Sequence, residues 1–283
     1  MALPLRCGIY LPNFGPFGDA RTLAAIAADA ERAGWDGFFV WDHIARPFAT
    51  DMVDPWVALA AVAVATERIR IGALVTPLAR RRPWKVARET VSIDRLSGGR
   101  LIFGAGLGSG RAAEWEDLGE TADARTRATM LDEGLDVLGG LWRAERFSYE
   151  GEVYRVRDAE FAPAPVQNPR IPVWIAGHWP NRRPFRRAAR WDGVFPEFPR
   201  GGDELAQLGE VVEYVRAQRA STAAFDVVYS SGPEVTPDRL ATIAAAGATW
   251  WLARIEAHHF GADGKSAWPM AAMRARIAAG PTG

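Results

Sequence analysis

FFVWDHIARPFATDMVDPWVALAAVAVATERIRIGALV, residues 38–75, contains one complete strand–helix–strand unit. Phe38–Trp41 is a short run of aromatic and β-branched residues, the composition of a buried strand. Asp54 then offers a side-chain cap, and Pro55 supplies a first helical residue whose missing N–H costs nothing there. The helix so opened is predicted over Pro55–Thr66. Ile69–Val75 returns as a strand. A crossover helix between two short buried strands is the repeating piece of a parallel α/β fold.

The same rhythm extends in both directions. Upstream, Cys7–Leu11 is read as a strand and Leu23–Ala33 as a helix ended by Gly34. Downstream, Pro83–Leu96 is a helix, Leu101–Ala105 a strand, and Arg125–Trp142 a long helix with Leu131, Leu135 and Leu138 on one face. The pattern breaks at about 144–172. There Phe147–Val156 reads as a hairpin around Glu150-Gly151, and Pro163, Pro165, Pro169 and Pro172 forbid regular structure. It resumes with strands at Val173–Ala176, Val194–Phe195, Phe225–Tyr229 and Trp250–Ile255, and helices at Glu204–Arg219, Pro237–Ala246 and Ala267–Ala278. Eight strands alternating with helices predict a (β/α)8 barrel over residues 1–283, with a hairpin insertion between its fourth and fifth units.

Composition agrees with a large globular core: 48% of the 283 residues are hydrophobic and 24% charged. Lys plus Arg and Asp plus Glu both number 34, so no net field exists to recruit nucleic acid or an anionic membrane. Cys7 stands alone, which excludes an intrachain disulfide. Pro4 and Arg6 interrupt any signal-peptide core, and no run of ~18 apolar residues occurs, so a soluble cytoplasmic protein is expected. No metal is expected either, because His43, His178, His258 and His259 show no ligand spacing.

In a barrel the chemistry sits at the C-terminal strand ends. Those ends carry Asp42-His43, Thr76-Pro77, Gly106 to Gly110, Gly177-His178-Trp179, Pro196-Glu197, Ser230-Ser231 and Glu256. His43 is the leading acid–base candidate, since an imidazole titrates near neutrality. Gly104-Ala105-Gly106-Leu107-Gly108 lets backbone N–H groups approach a ligand, or simply makes a tight turn. Ser109 occupies the place of the third glycine in a dinucleotide fingerprint, which argues against a nicotinamide site. Gly177 leads toward a helix after Asn181 that would suit a phosphate. Arg182, Arg183, Arg186 and Arg187 beside it read either as anion partners or as a solvated helix face. Trp41, Trp174, Trp179, Trp250 and Trp251 lie in or beside strands, either as a stacking wall for a flat ligand or as core.

Several segments in order resemble the luciferase-like superfamily of flavin- and deazaflavin-dependent barrels. They are Ala33-Gly34-Trp35-Asp36, Asp42-His43, Asp54-Pro55-Trp56, Thr66-Glu67-Arg68-Ile69, Val75-Thr76-Pro77, Arg82-Pro83, Leu96-Ser97-Gly98-Gly99-Arg100, Gly104-Ala105-Gly106, Glu114, Gly119, Asp132-Glu133-Gly134-Leu135, Tyr149-Glu150-Gly151 and Pro165-Val166-Gln167. The resemblance spans about residues 5–197. It implies a flavin across the barrel mouth, with His43 near the reactive face and Asp42 at the ring's polar edge. It also implies a non-prolyl cis peptide at Leu74–Val75, followed by Thr76. Gly104, Gly106 and Gly108 would border the ring and ribityl chain, and Ala176, Gly177 and His178 the phosphate.

Departures narrow the reading. Pro47 and Ser109 stand where the sugar-phosphate dehydrogenases of this superfamily carry Trp and Glu. Only Lys85 and Lys265 are available as lysines, so sugar-phosphate oxidation is not expected. Phe14, Phe17, Phe48, Trp179 and Phe198 are expected to make an aromatic pocket for a small apolar or aromatic substrate. The resemblance leaves two chemistries open: hydride transfer with coenzyme F420, toward which the glycine-rich turn leans, and oxygenation with reduced FMN from a separate reductase. A barrel that binds flavin without turnover is the reading from another class. The resemblance also implies a homodimer.

Overall fold

The computed structural model describes residues 5–46, 51–262 and 267–282. Phe48 and Pro47, named above, lie outside the described residues. The elements run β1 (Arg6–Leu11), α1 (Ala20–Arg32), β2 (Gly37–Val40), α2 (Pro55–Ala65), β3 (Arg70–Ala73), β4 (Thr76–Pro77), α3 (Pro83–Leu96), β5 (Phe103–Gly106) and α4 (Ala124–Leu141). Then come β6 (Phe147–Glu150), β7 (Arg155–Ala159), β8 (Val173–His178), α5 (Arg182–Ala188), β9 (Gly193–Glu197), α6 (Glu204–Gln218), β10 (Asp226–Ser231), α7 (Pro237–Ala245), β11 (Trp250–Arg254) and α8 (Met270–Ala278).

All strands but β6 and β7 form one parallel sheet in the order β3-β2-β1-β11-β10-β9-β8-β5-β4. Its two ends, β3 and β4, are successive pieces of one stretch of chain, joined through the cis peptide Leu74–Val75. Ile71 also bridges Leu101, and the Ile102 amide donates to the Ile71 carbonyl at 2.8 Å. The sheet therefore closes on itself as an eight-position (β/α)8 barrel. The sequence pattern reads Ile69–Val75 as one strand. The structure splits it, because the chain turns at the cis bond and Thr76–Pro77 pair onward with β5.

Residue alternation divides the core. Phe39, Leu74, Ile102, Trp174, Phe195, Val228, Trp250 and Leu252 fill the barrel interior. Trp174 meets Phe39 at 5.3 Å and Trp250 at 5.4 Å between ring centroids. Space for these indoles comes from Gly37 and Gly193, where an added Cβ would lie 2.8 Å from Trp250 and 2.4 Å from Trp174. Trp251 points outward and stacks on Trp35. Much of the tryptophan content is thus packing.

Caps follow their chemistry. Asp54 accepts from the amides of Trp56 and Val57, as its place before Pro55 predicts. Gly34 and Gly247 end their helices at φ +88° and +99°. The β6–β7 hairpin stands outside the barrel, and Glu133 of α4 holds its turn by accepting from the amides of Glu152, Val153 and Tyr154. Among the described residues no helix is long and apolar enough to cross a membrane.

Candidate active site

The C-terminal strand ends surround a cavity of about 720 Å³, within the ~300–1,000 Å³ range of small-ligand sites. Tyr10, Trp41, Leu74, Val75, Ala176 and Phe195 supply its apolar wall. Gly108 adopts φ +77°, and an added Cβ would lie 2.7 Å from Pro77, so only glycine keeps this loop close to the barrel mouth.

His43 follows β2 and lines the cavity. Its backbone is clamped by Asn13, which donates to the His43 carbonyl at 2.8 Å and accepts from the His43 amide at 3.3 Å. Its ring Nδ1 lies 2.9 Å from Glu114 Oε1. Glu114 is fully buried, and it also accepts from Ser109 Oγ at 2.5 Å and the Ile44 amide at 3.1 Å. Burial disfavours its charge. The hydrogen bonds from His43 and Ser109, with the charges of His43 and Arg80, outweigh that and bring the carboxyl down to about 2. An ionised Glu114 requires a hydrogen on Nδ1. Arg46 Nη1, which can only donate, stands 3.3 Å from Nε2. These two partners assign the neutral ring's hydrogen to Nδ1 and a lone pair to Nε2.

Asp42 has a different task. Its carboxylate is wholly enclosed and accepts from Arg80 at 2.9 Å and from Arg81 at 2.8 and 3.0 Å. Arg80 also donates to the Asp42 carbonyl at 2.7 Å and reaches Glu114 at 3.5 Å. One buried web therefore ties together the ends of β2 and β4 and the short helical turn bearing Glu114.

The opposite wall is looser. His178 at the end of β8 is 81% exposed and pairs with Glu197 at 3.2 Å. Glu256, after β11, lies 3.5 Å from His258. Burial raises the Glu256 pKa, while the charges of His258, Arg254 and Arg46 oppose that rise.

Asp42, His43, Leu74, Val75, Gly106, Gly108, Ala176, Gly177 and His178 are brought together around the cavity. Others are corrected. Thr76 is buried within β4, and Gly104 within β5 is pressed against the Ala73 carbonyl; neither reaches the cavity. The expected aromatic pocket is not built from Phe14, Phe17, Trp179 or Phe198. Phe14 packs behind His43 and under Arg46. Phe17 is buried against Trp268. Trp179 is drawn toward α5 and α6 by Phe185 and Tyr214, and its indole N–H donates to Glu210 at 3.0 Å. Phe198 lies against Tyr229, whose hydroxyl donates to Glu204 of α6.

Sequence reasoning missed Asn13, Arg46, Arg80 and the part played by Glu114. The arginines follow no periodicity. For Glu114 one signal existed: a strand-end histidine needs a partner for its second nitrogen.

The luciferase-like monooxygenase family profile matches residues 6–278, and the chain belongs to that family. An F420-dependent glucose-6-phosphate dehydrogenase of Microbacterium testaceum is 33% identical over 187 residues, 64% of this chain and 53% of that protein. The coenzyme F420-dependent tetrahydromethanopterin reductase of Methanopyrus kandleri superposes with a TM-score of 0.75 at 16% identity, covering 98% and 97% of the two chains. The oxygenating constituent of 3,6-diketocamphane monooxygenase from Pseudomonas putida, solved with FMN, superposes at 0.66 and 18% identity over 81% and 67%.

Proposed function

We propose that this chain is an oxidoreductase that binds a flavin-type cofactor at the barrel mouth, with F420 preferred, and uses His43 to carry the proton that accompanies hydride transfer. The observation that carries this reading is the His43–Glu114 pair at 2.9 Å, which fixes the ring by Nδ1 and leaves Nε2 to face a cavity of about 720 Å³. The site suits such a group: Leu74, Val75 and Phe195 give a flat ring an apolar support, and the Gly106–Gly108 loop presents backbone without side chains. The cofactor, when bound, supplies the carbon that exchanges hydride with substrate. The chain supplies position, a water-poor wall and the proton carrier. Asp42 acts here by holding Arg80 and Arg81, and Ala176, Gly177 and His178 would border the cofactor's phosphate end. The 33%-identical F420-dependent relative supports the preference for F420.

Parallel titrations of the purified protein with F420 and with FMN, read by cofactor fluorescence and calorimetry, test it. Saturable F420 binding at low micromolar concentration is expected. Binding of FMN alone would replace the reading by an FMN-dependent monooxygenase served by a separate reductase. The apolar wall of Tyr10, Trp41 and Phe195 would serve that chemistry by excluding water. Binding of neither by folded protein sinks both. A homodimer is part of the proposal. α2 is apolar on all sides, and Val57 and Val64 on its outer stripe are 60% and 72% exposed. Light scattering that gives a monomer at micromolar concentration removes this element.

A further inference from the structure

The Glu114 carboxylate divides its two oxygens between two parts of the site. Oε1 takes the His43 ring Nδ1 at 2.9 Å and the Ile44 amide at 3.1 Å, with Arg80 at 3.5 Å. Oε2 takes the Ser109 hydroxyl at 2.5 Å. An ionised carboxylate only accepts, so the hydroxyl donates. Ser109 belongs to the loop after β5 and lines the cavity. Its backbone is held independently of the hydroxyl: its carbonyl accepts from the Trp115 indole N–H at 2.6 Å and from Arg127 at 3.4 Å. Gly108 before it adopts φ +77° and fits closely against Pro77 and Trp115. The loop thus brings the hydroxyl to Glu114 from a fixed place.

A donor on a carboxylate takes up part of its charge. Burial raises the Glu114 carboxyl, and the bonds from His43 and Ser109 bring it down to about 2, well below the range in which an imidazole titrates. With Ser109 in place, the charge that acts on Nδ1 is shared. Without it the same enclosed carboxylate, still held by Arg80 and the Ile44 amide, pulls harder on the ring and favours its protonated form. The other charged groups beside His43 and Glu114 are Arg46, whose Nη1 lies 3.3 Å from Nε2, and Arg80, which also holds Asp42. Arg111, Arg187, His178, Glu197 and Glu256 line the same cavity. A change confined to the Ser109 hydroxyl leaves all of these in place.

We propose that Ser109 is a positioning residue for His43: its hydroxyl sets the Glu114 carboxylate against the ring and tempers the pull of that carboxylate on it. The inference rests on reading His43 as the proton carrier, and it gives Ser109 a task that neither a tight turn nor a cofactor contact requires.

The test titrates the full chain, isotope-labelled at histidine, by NMR, with the His43 ring signals identified by their loss in His43→Ala. In Ser109→Ala the ring is expected to take up its proton at a pH higher by about half a unit, a roughly threefold change in proton affinity. Ser109→Thr keeps the hydroxyl and should titrate with the parent. In a Glu114→Gln background Ser109→Ala should add no further change, because the carboxylate through which the hydroxyl acts is gone. Circular dichroism checks that each variant is folded. An unmoved or lowered midpoint in Ser109→Ala, the same rise in Ser109→Thr, or an undiminished rise over Glu114→Gln overturns the proposal. The pH profile of kcat/KM separates this inference from the reading it rests on. A rise that carries into the acid limb of the profile supports both. A rise that leaves the profile unmoved keeps the hold of Ser109 on Glu114 and His43, and removes His43 as the proton carrier.

Discussion

The two walls of the cavity carry similar residues in opposite conditions. On the β2–β5 side, Asp42, Arg80 and Glu114 are at most 2% exposed in their side chains, and each of these three charges has a partner. On the β8–β11 side, His178 and Glu197 are 81% and 53% exposed, and Glu256 lies 3.5 Å from a largely exposed His258. A buried ion is tolerated only when its hydrogen bonds are complete, so the first wall holds one geometry. An exposed pair is worth little and rearranges freely. The difference assigns the first wall to holding the proton carrier and the second to accommodating whatever enters.

The largest expected effect is on turnover. His43→Ala removes the imidazole that Glu114 joins to the buried web, and general acid–base catalysis is typically worth ~10²–10⁴-fold. A loss of that size in kcat, with cofactor affinity within about threefold of the parent, is expected once a substrate is in hand. A variant that loses cofactor instead would show that His43 binds rather than catalyses. The matching change on the other wall, His178→Ala, should leave kcat at saturating cofactor nearly intact and act on cofactor affinity instead.

Asp42→Asn attacks the same wall through stability. It leaves two arginines facing a neutral amide in a closed space, and removing one partner of a buried pair costs about 3–5 kcal/mol. Urea unfolding should register most of that as a lower midpoint with an unchanged slope. A loss below about 1 kcal/mol would mean that the web is wetter than its geometry implies.

How much of this contrast is legible in sequence depends on what each residue answers to. The barrel reads well because its strands are buried on both faces and appear as short apolar runs, while Asp54-Pro55 and Gly34 mark helix ends by local chemistry. His43 reads well because a strand end places it. Trp179 misleads, since its side chain is set by Phe185, Tyr214 and Glu210 on helices that follow it. Glu114 is further out of reach: it meets His43 across 71 positions, from a turn of three residues with no periodicity. The break at Leu74–Val75 leaves the apolar run of the third strand intact and so leaves periodicity unchanged. The family resemblance anticipates it; the pattern of residues alone does not.

Acid sharpens the contrast next. Glu114 is lowered from its ordinary 4.5 to about 2 in the folded chain, a difference worth about 3 kcal/mol. Its folded pKa is depressed, so this stability is fully present above about pH 5 and is lost as pH falls through 4.5 toward 2. Denaturant unfolding of the parent and Glu114→Gln at pH 6, 4 and 3 should show their difference shrinking with acid. A difference independent of pH would mean that the carboxylate is not held ionised by His43, Ser109 and Arg80. The tautomer assigned to His43 would then go with it.

The smallest effect belongs to the looser wall and is the most useful control. Glu197→Gln removes a carboxylate whose one ion-pair partner among the described residues is the exposed His178 at 3.2 Å. Exposed pairs measure ~0.2–1 kcal/mol and are screened by salt. The variant should therefore unfold within about 0.5 kcal/mol of the parent at physiological ionic strength, with any residual difference vanishing at about 1 M salt. If Glu197→Gln instead costs as much as Asp42→Asn, the two walls are equally rigid. Their contrast then lies in sequence position alone, and the second wall loses its claim to be the adaptable side of the site.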